Sequence, residues 1–248
     1  MHTPFQYFLR RAALIVLAAT SMATSANEAL IRKALAERLP PDAKVESIQK
    51  MPMLGLYEVR VGGDIVYTDE AGKFLIMGNI QDLKSGRNFT QERIDGLASA
   101  EVYKPENLAN ALKLVKGNGA RKMVVFEDPN CGYCKKLRKE MEGLNNVTIY
   151  TYLVPILSED STTKMRGVWC AKDRNKAYDD WMLKGANPNA ADARCAVPVE
   201  ANMAMMRNLK INGTPAIFFS NGQRVPGYIE LAQMEAGLVD SSSVLLKK

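Results

Sequence analysis

Cys131-Gly132-Tyr133-Cys134 lies between an apolar stretch, Lys122-Met-Val-Val-Phe126, and a basic, helix-competent stretch, Lys135-Lys-Leu-Arg-Lys-Glu-Met141. Strand, turn, Cys-x-x-Cys, helix is the layout of a dithiol redox site. The layout places Cys131 at a helix N-terminus, where unpaired N–H groups and the helix dipole favour a negative sulfur. A thiolate at neutral pH is the nucleophile of disulfide exchange. Cys134, one turn on, is placed to attack the resulting mixed disulfide and resolve it.

The first 26 residues read as a secretory signal peptide. Arg10-Arg11 precede the apolar run Ala12–Ala19, and small residues follow through Ala26. The run is too short to span a bilayer, and no later stretch looks transmembrane. The expectation is an exported, periplasmic protein without membrane insertion once the signal is removed. Export matters for the cysteines, because an oxidising compartment permits stable disulfides and needs enzymes that make or correct them. The chain has four cysteines, all in its second half. With Cys131 and Cys134 assigned to the site, Cys170 and Cys195 remain as a structural pair, and a loop of that length is worth roughly 3–4 kcal/mol in the chain-entropy model.

The single histidine is His2, inside the signal region. A mature chain without histidine excludes Ser-His and Cys-His hydrolases and His-ligated metals. The formal net charge of +6 includes Arg10 and Arg11, and the remaining charges are interspersed. No basic run is interleaved with aromatics, so nucleic-acid binding is not expected.

A Cys-x-x-Cys has two blander readings. One is half a zinc site, but Cys170 and Cys195 do not form a second close pair and no mature histidine can complete it. The other is a structural short-loop disulfide, against which the strand–helix context argues. Neither metal nor cofactor is expected.

Gly213-Thr214-Pro215 enters a second apolar strand, Ala216–Phe219. A trans proline at a strand start is the ordinary reading. A cis Thr214–Pro215 bond would leave backbone near Thr214 free to pair with an extended substrate. Lys135 and Lys136 are candidates for holding a thiolate, with a solvated helix face as the alternative. Glu127 and Asp128 read as loop acids capping the following helix, with proton acceptance from Cys134 as the second reading. Trp169, Trp181, Tyr178 and Met203, Met205 and Met206 fall at helical spacings and read as core.

The periodicities predict an N-terminal module over 27–80, with a helix to Pro40 and strands at Val45–Ile48, Leu56–Val61, Ile65–Thr68 and Phe74–Met77, the last two joined by a turn at 69–72. So small a module makes a marginal core alone and gains stability by pairing with a copy of itself. A linker is expected over 81–104, containing a helix at Thr90–Leu97 with Thr90 as N-cap. A helix is expected over Pro105–Val115. The remainder, 105–248, alternates strand and helix and ends in a hairpin at Asn221-Gly222 and a helix. This indicates an α/β layered domain with a mixed sheet and an inserted helical block at 161–210.

Phe126–Leu137, Trp169–Asp180, Asn212–Ala216 and Ser220–Tyr228 occur in the order, and with the residues, of the DsbC family of periplasmic disulfide isomerases. The chain resembles that family across most of 121–238, and more weakly in its first half. The resemblance implies a thioredoxin-like catalytic domain with a helical insertion, joined to an N-terminal α+β dimerisation domain. It implies Cys131 as attacking and Cys134 as resolving thiol, with Gly132, Tyr133, Thr214 and a cis Pro215 supporting the site, and Cys170–Cys195 as a non-catalytic disulfide. The implied partners are misoxidised exported proteins as substrates, a membrane thiol reductase of the DsbD type, and a second copy of the chain in a homodimer. An oxidase or reductase on the same fold, or a holdase chaperone, are the alternative functions. In two respects the sequence departs from the pattern: residues 105–120 are longer than in the best-known family members by a short helix, and the acid of the wider thioredoxin pattern is displaced. The buried acid of thioredoxin precedes the first cysteine by six residues, and Val125 stands there, so neither Glu127 nor Asp128 inherits that position.

Overall fold

A computed structural model describes residues 27–40 and 43–244, with the side chains of 240–244 left aside. The expected signal segment lies outside the described residues. The chain divides into two compact units, the first ending at Thr90 and the second beginning at Gln91.

In the first unit a helix, α1 (residues 27–36), covers an antiparallel sheet of four strands in chain order. The strands are β1 (Val45–Lys50), β2 (Tyr57–Val61), β3 (Asp64–Thr68) and β4 (Leu75–Ile76). Period-two alternation in β2 places Tyr57 and Val59 on the covered face, where they meet Ile31 and Leu35 of α1 and Ile48 of β1. The β3–β4 turn is organised by Asp69, whose Oδ1 accepts the N–H groups of Lys73 and Phe74. Gly72 in this turn has φ +69°, and a Cβ there would stand 2.9 Å from the Ala34 Cβ, so the turn needs glycine both for its backbone and for the approach of α1. At the sheet's edge, Phe74, Leu75, Ile76 and Met77 are all exposed.

The second unit is built on a five-stranded mixed sheet of order β5-β7-β6-β8-β9. Its strands are β5 (Leu112–Lys116), β6 (Arg121–Glu127), β7 (Val147–Leu153), β8 (Ala216–Phe219) and β9 (Arg224–Pro226), with only β6 and β7 parallel. Both faces of the central strand β6 are buried. Val124 and Phe126 pack with Tyr152 and Phe218 under helices α2 (Phe89–Val102) and α7 (Val199–Asn208). Met123 and Val125 pack on the other face with Ile217 and Phe219, under α4 (Gly132–Glu140) and α8 (Leu231–Val244). Helices α5 (Glu159–Trp169) and α6 (Arg174–Lys184), with α7, form the expected insertion between β7 and β8. Met165, Val168, Tyr178 and Met182 of α5 and α6 pack in one buried cluster with Cys131 and Cys134.

Three expectations are corrected. The helix over Pro105–Val115 is a single turn, α3 (Pro105–Leu108), followed by strand β5. Leu108, Ala111, Leu112 and Val115 satisfy helical spacing, but Leu112, Leu114 and Lys116 satisfy alternation as well. Pairing with β7, Leu114 opposite Ile149, decides for the strand. Thr90 is not an N-cap but the second residue of α2, buried, with its hydroxyl 2.6 Å from that of Tyr67 and accepting the Ile80 N–H. The stretch expected as a linker carries α2, whose Ala98 and Val102 enter the core of the second unit. Ser99 and Tyr103 donate side-chain hydrogen bonds to the carbonyls of Phe219 and Phe218.

Candidate active site

Strand β6 delivers the chain to the site and α4 carries it away. Cys131 is the N-cap of α4, with an extended backbone, and its sulfur accepts the N–H of Cys134 at 3.3 Å. A capping side chain satisfies a helix donor that would otherwise be orphaned, and a thiolate does so while meeting the positive end of the helix dipole. The Cys131 thiol is lowered from 9.0 to about 5, first by the hydrogen bond from the Cys134 thiol, with the N–H groups of Cys134 and Tyr133 assisting and burial opposing. Cys134 has no exposed surface, and its thiol is pushed far up by burial, then by the bond it donates to Cys131. One sulfur is therefore a thiolate at neutral pH and its neighbour a protonated thiol.

The second expected element meets the first. The Thr214–Pro215 bond is cis, and the Thr214 carbonyl lies 3.4 Å from the Cys131 sulfur. The Thr214 backbone thus borders the Cys131 sulfur, beside the start of β8. Tyr133 is 61% exposed, and a side chain at Gly132 would meet only open space. Cys170 and Cys195 are joined in a disulfide that ties the end of α5 to the loop before α7, so neither is available to complete a zinc site with Cys131 and Cys134.

The acids and lysines differ from expectation. Neither Glu127 nor Asp128 caps α4, since Cys131 does so itself. Asp128 is buried and organises the loop. Its Oδ1 accepts from Asn130 N and the Ser161 hydroxyl, and its Oδ2 from the N–H groups of Ile156 and Leu157. Glu127 ends β6 fully buried, facing Arg138, and its carboxyl is raised from 4.5 to about 7 by burial, with Arg138 opposing. Lys135 lies 4.4 Å from the Trp181 ring centre and Lys136 lies 5.1 Å from that of Tyr133, so both ammonium groups engage aromatic faces beside the site. Arg138, Tyr178 and Trp181 were not read as site residues. The available signals were helical phase, Arg138 following Cys134 by four residues, and strand phase, Glu127 falling on the same face as Val125.

Two family models match the chain, the disulfide bond isomerase protein N-terminal domain over residues 22–91 and a thioredoxin-like domain over 108–241. The probable thiol:disulfide interchange protein DsbC of Bordetella parapertussis is 46% identical over 194 residues, spanning 78% of this chain and 68% of that protein. The thiol:disulfide interchange protein DsbC of Escherichia coli K12 is 32% identical over 230 residues, spanning 86% and 88%. Among solved structures, a disulfide interchange protein from Neisseria gonorrhoeae superposes with a TM-score of 0.51 at 38% identity, over 54% of this chain and 97% of that one. Two domain models in order, relatives matched along most of their length, and a thiolate–thiol pair at a helix start agree: the chain belongs to the DsbC family of thiol:disulfide interchange proteins.

Proposed function

We propose that this protein isomerises incorrect disulfides in exported proteins, with Cys131 as attacking and Cys134 as resolving thiol. The observation that carries the reading is the contrast between the two sulfurs, Cys131 lowered to about 5 and Cys134 buried and pushed up. Cys131 thiolate attacks a substrate disulfide, forming the Cys131–substrate bond and releasing the other substrate sulfur as a thiolate. That thiolate can attack elsewhere in the substrate and leave a new pairing, which is isomerisation. Alternatively Cys134 attacks Cys131, forming the protein disulfide and leaving the substrate reduced.

Isomerisation requires the dithiol form, so a donor of electrons is needed whenever Cys134 closes the pair. A membrane thiol reductase of the DsbD type fits that need. The Arg10-Arg11 leader and apolar run support a periplasmic location. The exposed Phe74, Leu75, Ile76 and Met77 on the edge of the first unit support pairing with a second copy of the chain. The Thr214 carbonyl supports a substrate strand docking beside Cys131. The test is refolding of a scrambled multi-disulfide protein. Acceleration that vanishes in Cys131→Ala is expected, and acceleration that survives this change would end the proposal.

A further inference from the structure

The chain has three Asn-Gly pairs, Asn118-Gly119, Asn212-Gly213 and Asn221-Gly222. With no Cβ on the following residue, its backbone nitrogen can approach the asparagine side-chain carbon and close a ring, the step that begins deamidation. Closure needs a free side-chain amide and a free glycine N–H. In two of the pairs both are held. The Asn118 Oδ1 accepts the Ala120 N–H at 3.0 Å, and the Gly119 N–H donates to the Lys116 carbonyl at 3.2 Å. The Asn221 Oδ1 accepts the Gln223 N–H at 2.9 Å, and the Gly222 N–H donates to the Phe219 carbonyl at 3.1 Å.

Asn212-Gly213 differs in each respect. Both residues are exposed. Neither the Asn212 side chain nor the Gly213 N–H has a hydrogen bond among the described residues, and a Cβ at Gly213 would meet nothing within 4 Å. The chain is fixed on both sides of this pair. Ile211 is buried, and its N–H donates to the Met206 carbonyl at 3.0 Å. The Pro215 carbonyl accepts the Gly227 N–H at 2.8 Å, and Ala216 pairs with Phe126. Asn212, Gly213 and Thr214 are strung between these anchors, with the Thr214 carbonyl 3.4 Å from the Cys131 sulfur.

We propose that Asn212 is a site of spontaneous deamidation, and that its isoaspartyl product shifts the Thr214 backbone and slows the capture of extended substrates at Cys131. The consequence rests on the reading of Cys131 as attacking thiol and of the Thr214 backbone as a docking edge; the modification itself does not. The Gly213 nitrogen gives its proton to hydroxide and attacks Asn212 Cγ. The N–Cγ bond forms, the Cγ–Nδ2 bond breaks, and the amide takes a proton from water and leaves as ammonia. Water then opens the ring. Opening at Cγ gives aspartate, and opening at the main-chain carbonyl carbon gives isoaspartate. One water is consumed and one ammonia released, with no change of oxidation state. In isoaspartate the chain runs through Cβ and Cγ, which adds a carbon to the backbone and leaves a free carboxylate. With Ile211 and Pro215 anchored, Gly213 and Thr214 must take up the extra length, and the Thr214 carbonyl leaves its place beside Cys131.

The test incubates the folded protein, and the same protein in urea, at mildly alkaline pH and follows each pair by mass spectrometry. Fragmentation of the tryptic peptide Ile211–Arg224 separates Asn212 from Asn221 within one molecule. In urea the three pairs should react alike. Folding should slow Asn118 and Asn221 by roughly thirtyfold, the worth of two hydrogen bonds, and leave Asn212 at its unfolded rate. An Asn212 slowed as much as the other two would overturn the proposal. The consequence is read on aged, converted protein, with an extended peptide dimer joined by one disulfide as the probe. Its reaction with Cys131 should be about fivefold slower than in fresh protein, the worth of one docking hydrogen bond, while iodoacetamide, which needs no docking, should react as before. Asn212→Ala aged alongside should keep its fresh rate. Asn212→Asp, which adds the charge without the extra carbon, should match fresh protein. An equal loss in aged Asn212→Ala, an equal loss toward iodoacetamide, or an Asn212→Asp as slow as aged wild type would overturn the consequence. Fresh protein that fails to react with the peptide disulfide would instead remove the reading of Cys131, while the deamidation rates would still decide the modification.

Discussion

The indole Nε1 of Trp181 donates to the Pro129 carbonyl at 2.7 Å, so helix α6 of the insertion holds the loop that leads into Cys131. Lys135 and Lys164 lie 4.4 and 4.6 Å from the centre of the same ring, binding α4 and α5 to it. Trp181→Phe keeps an aromatic face and removes the donor, leaving one carbonyl unpaired. Stability is expected to fall by about 1 kcal/mol, measured by urea unfolding. The alkylation pH profile of Cys131 should stay in place, because the bonds that lower this thiol come from Cys134, from Thr214 and from the first N–H groups of α4. A shifted profile would show that Trp181 acts on the thiolate itself.

Asp128 makes a sharper case. Each of its carboxylate oxygens accepts two hydrogen bonds, three of the four donors being backbone N–H groups. In Asp128→Asn an NH2 group must replace one oxygen and face at least one of those N–H groups. The expected loss is about 2–3 kcal/mol, the cost of a buried unsatisfied donor. Thermal unfolding of the reduced protein checks this, and a change within error would mean that the loop rearranges around the amide.

How far the site could be read in advance depends on the range of the interactions. The place of Cys131 at the start of a helix was legible because strand, turn and helix are neighbours in sequence, whereas the capping role read for Glu127 and Asp128 belongs to Cys131 itself. The ends of β6 and β7 were legible because their apolar runs are long and buried on both faces. The strand Leu112–Lys116 was not, because its residues satisfy two periods and only pairing with β7, more than thirty residues on, chooses between them. Glu127 and Asp128 look alike in sequence, adjacent acids before a helix. Strand alternation sends them to opposite sides, Glu127 toward α4 and Asp128 into the loop with Ile156 and Leu157. The partners that define their roles are distant in sequence, Arg138 and Tyr178 11 and 51 positions from Glu127 and Ser161 33 positions from Asp128, which local pattern cannot see.

The disulfide should contribute stability without touching the chemistry. Cys170 and Cys195 close a loop with a sequence separation of 25, and neither sulfur contacts Cys131 or Cys134 by a hydrogen bond. Replacing both by alanine is expected to cost about 3 kcal/mol through the entropy of the unfolded chain. Urea unfolding measures the loss, while the rate of Cys131 alkylation at neutral pH should be unchanged. A slower alkylation would show that the loop before α7 shapes the mouth of the site.

The stability of the reduced protein should depend on pH through two opposed groups. Cys131 is depressed from 9.0 to about 5, so its thiolate stabilises the fold fully above about pH 9, and that contribution is lost as pH falls toward 5. Glu127 is raised from 4.5 to about 7, so its contribution, about 3 kcal/mol, is present below about pH 4.5 and lost as pH rises to 7. Between about pH 5 and 7 the two trends oppose one another and the urea midpoint should vary little. Between 7 and 9 only the Cys131 trend remains, and the midpoint should rise. Cys131→Ser should abolish that rise, and in this variant the midpoint should fall steadily from pH 5 to 7. Alkylation by iodoacetamide gives the independent check, with a half-maximal rate near pH 5, a single adduct at Cys131, and none at Cys134. A midpoint that rises equally in wild type and Cys131→Ser would show that the thiolate is not the group responsible.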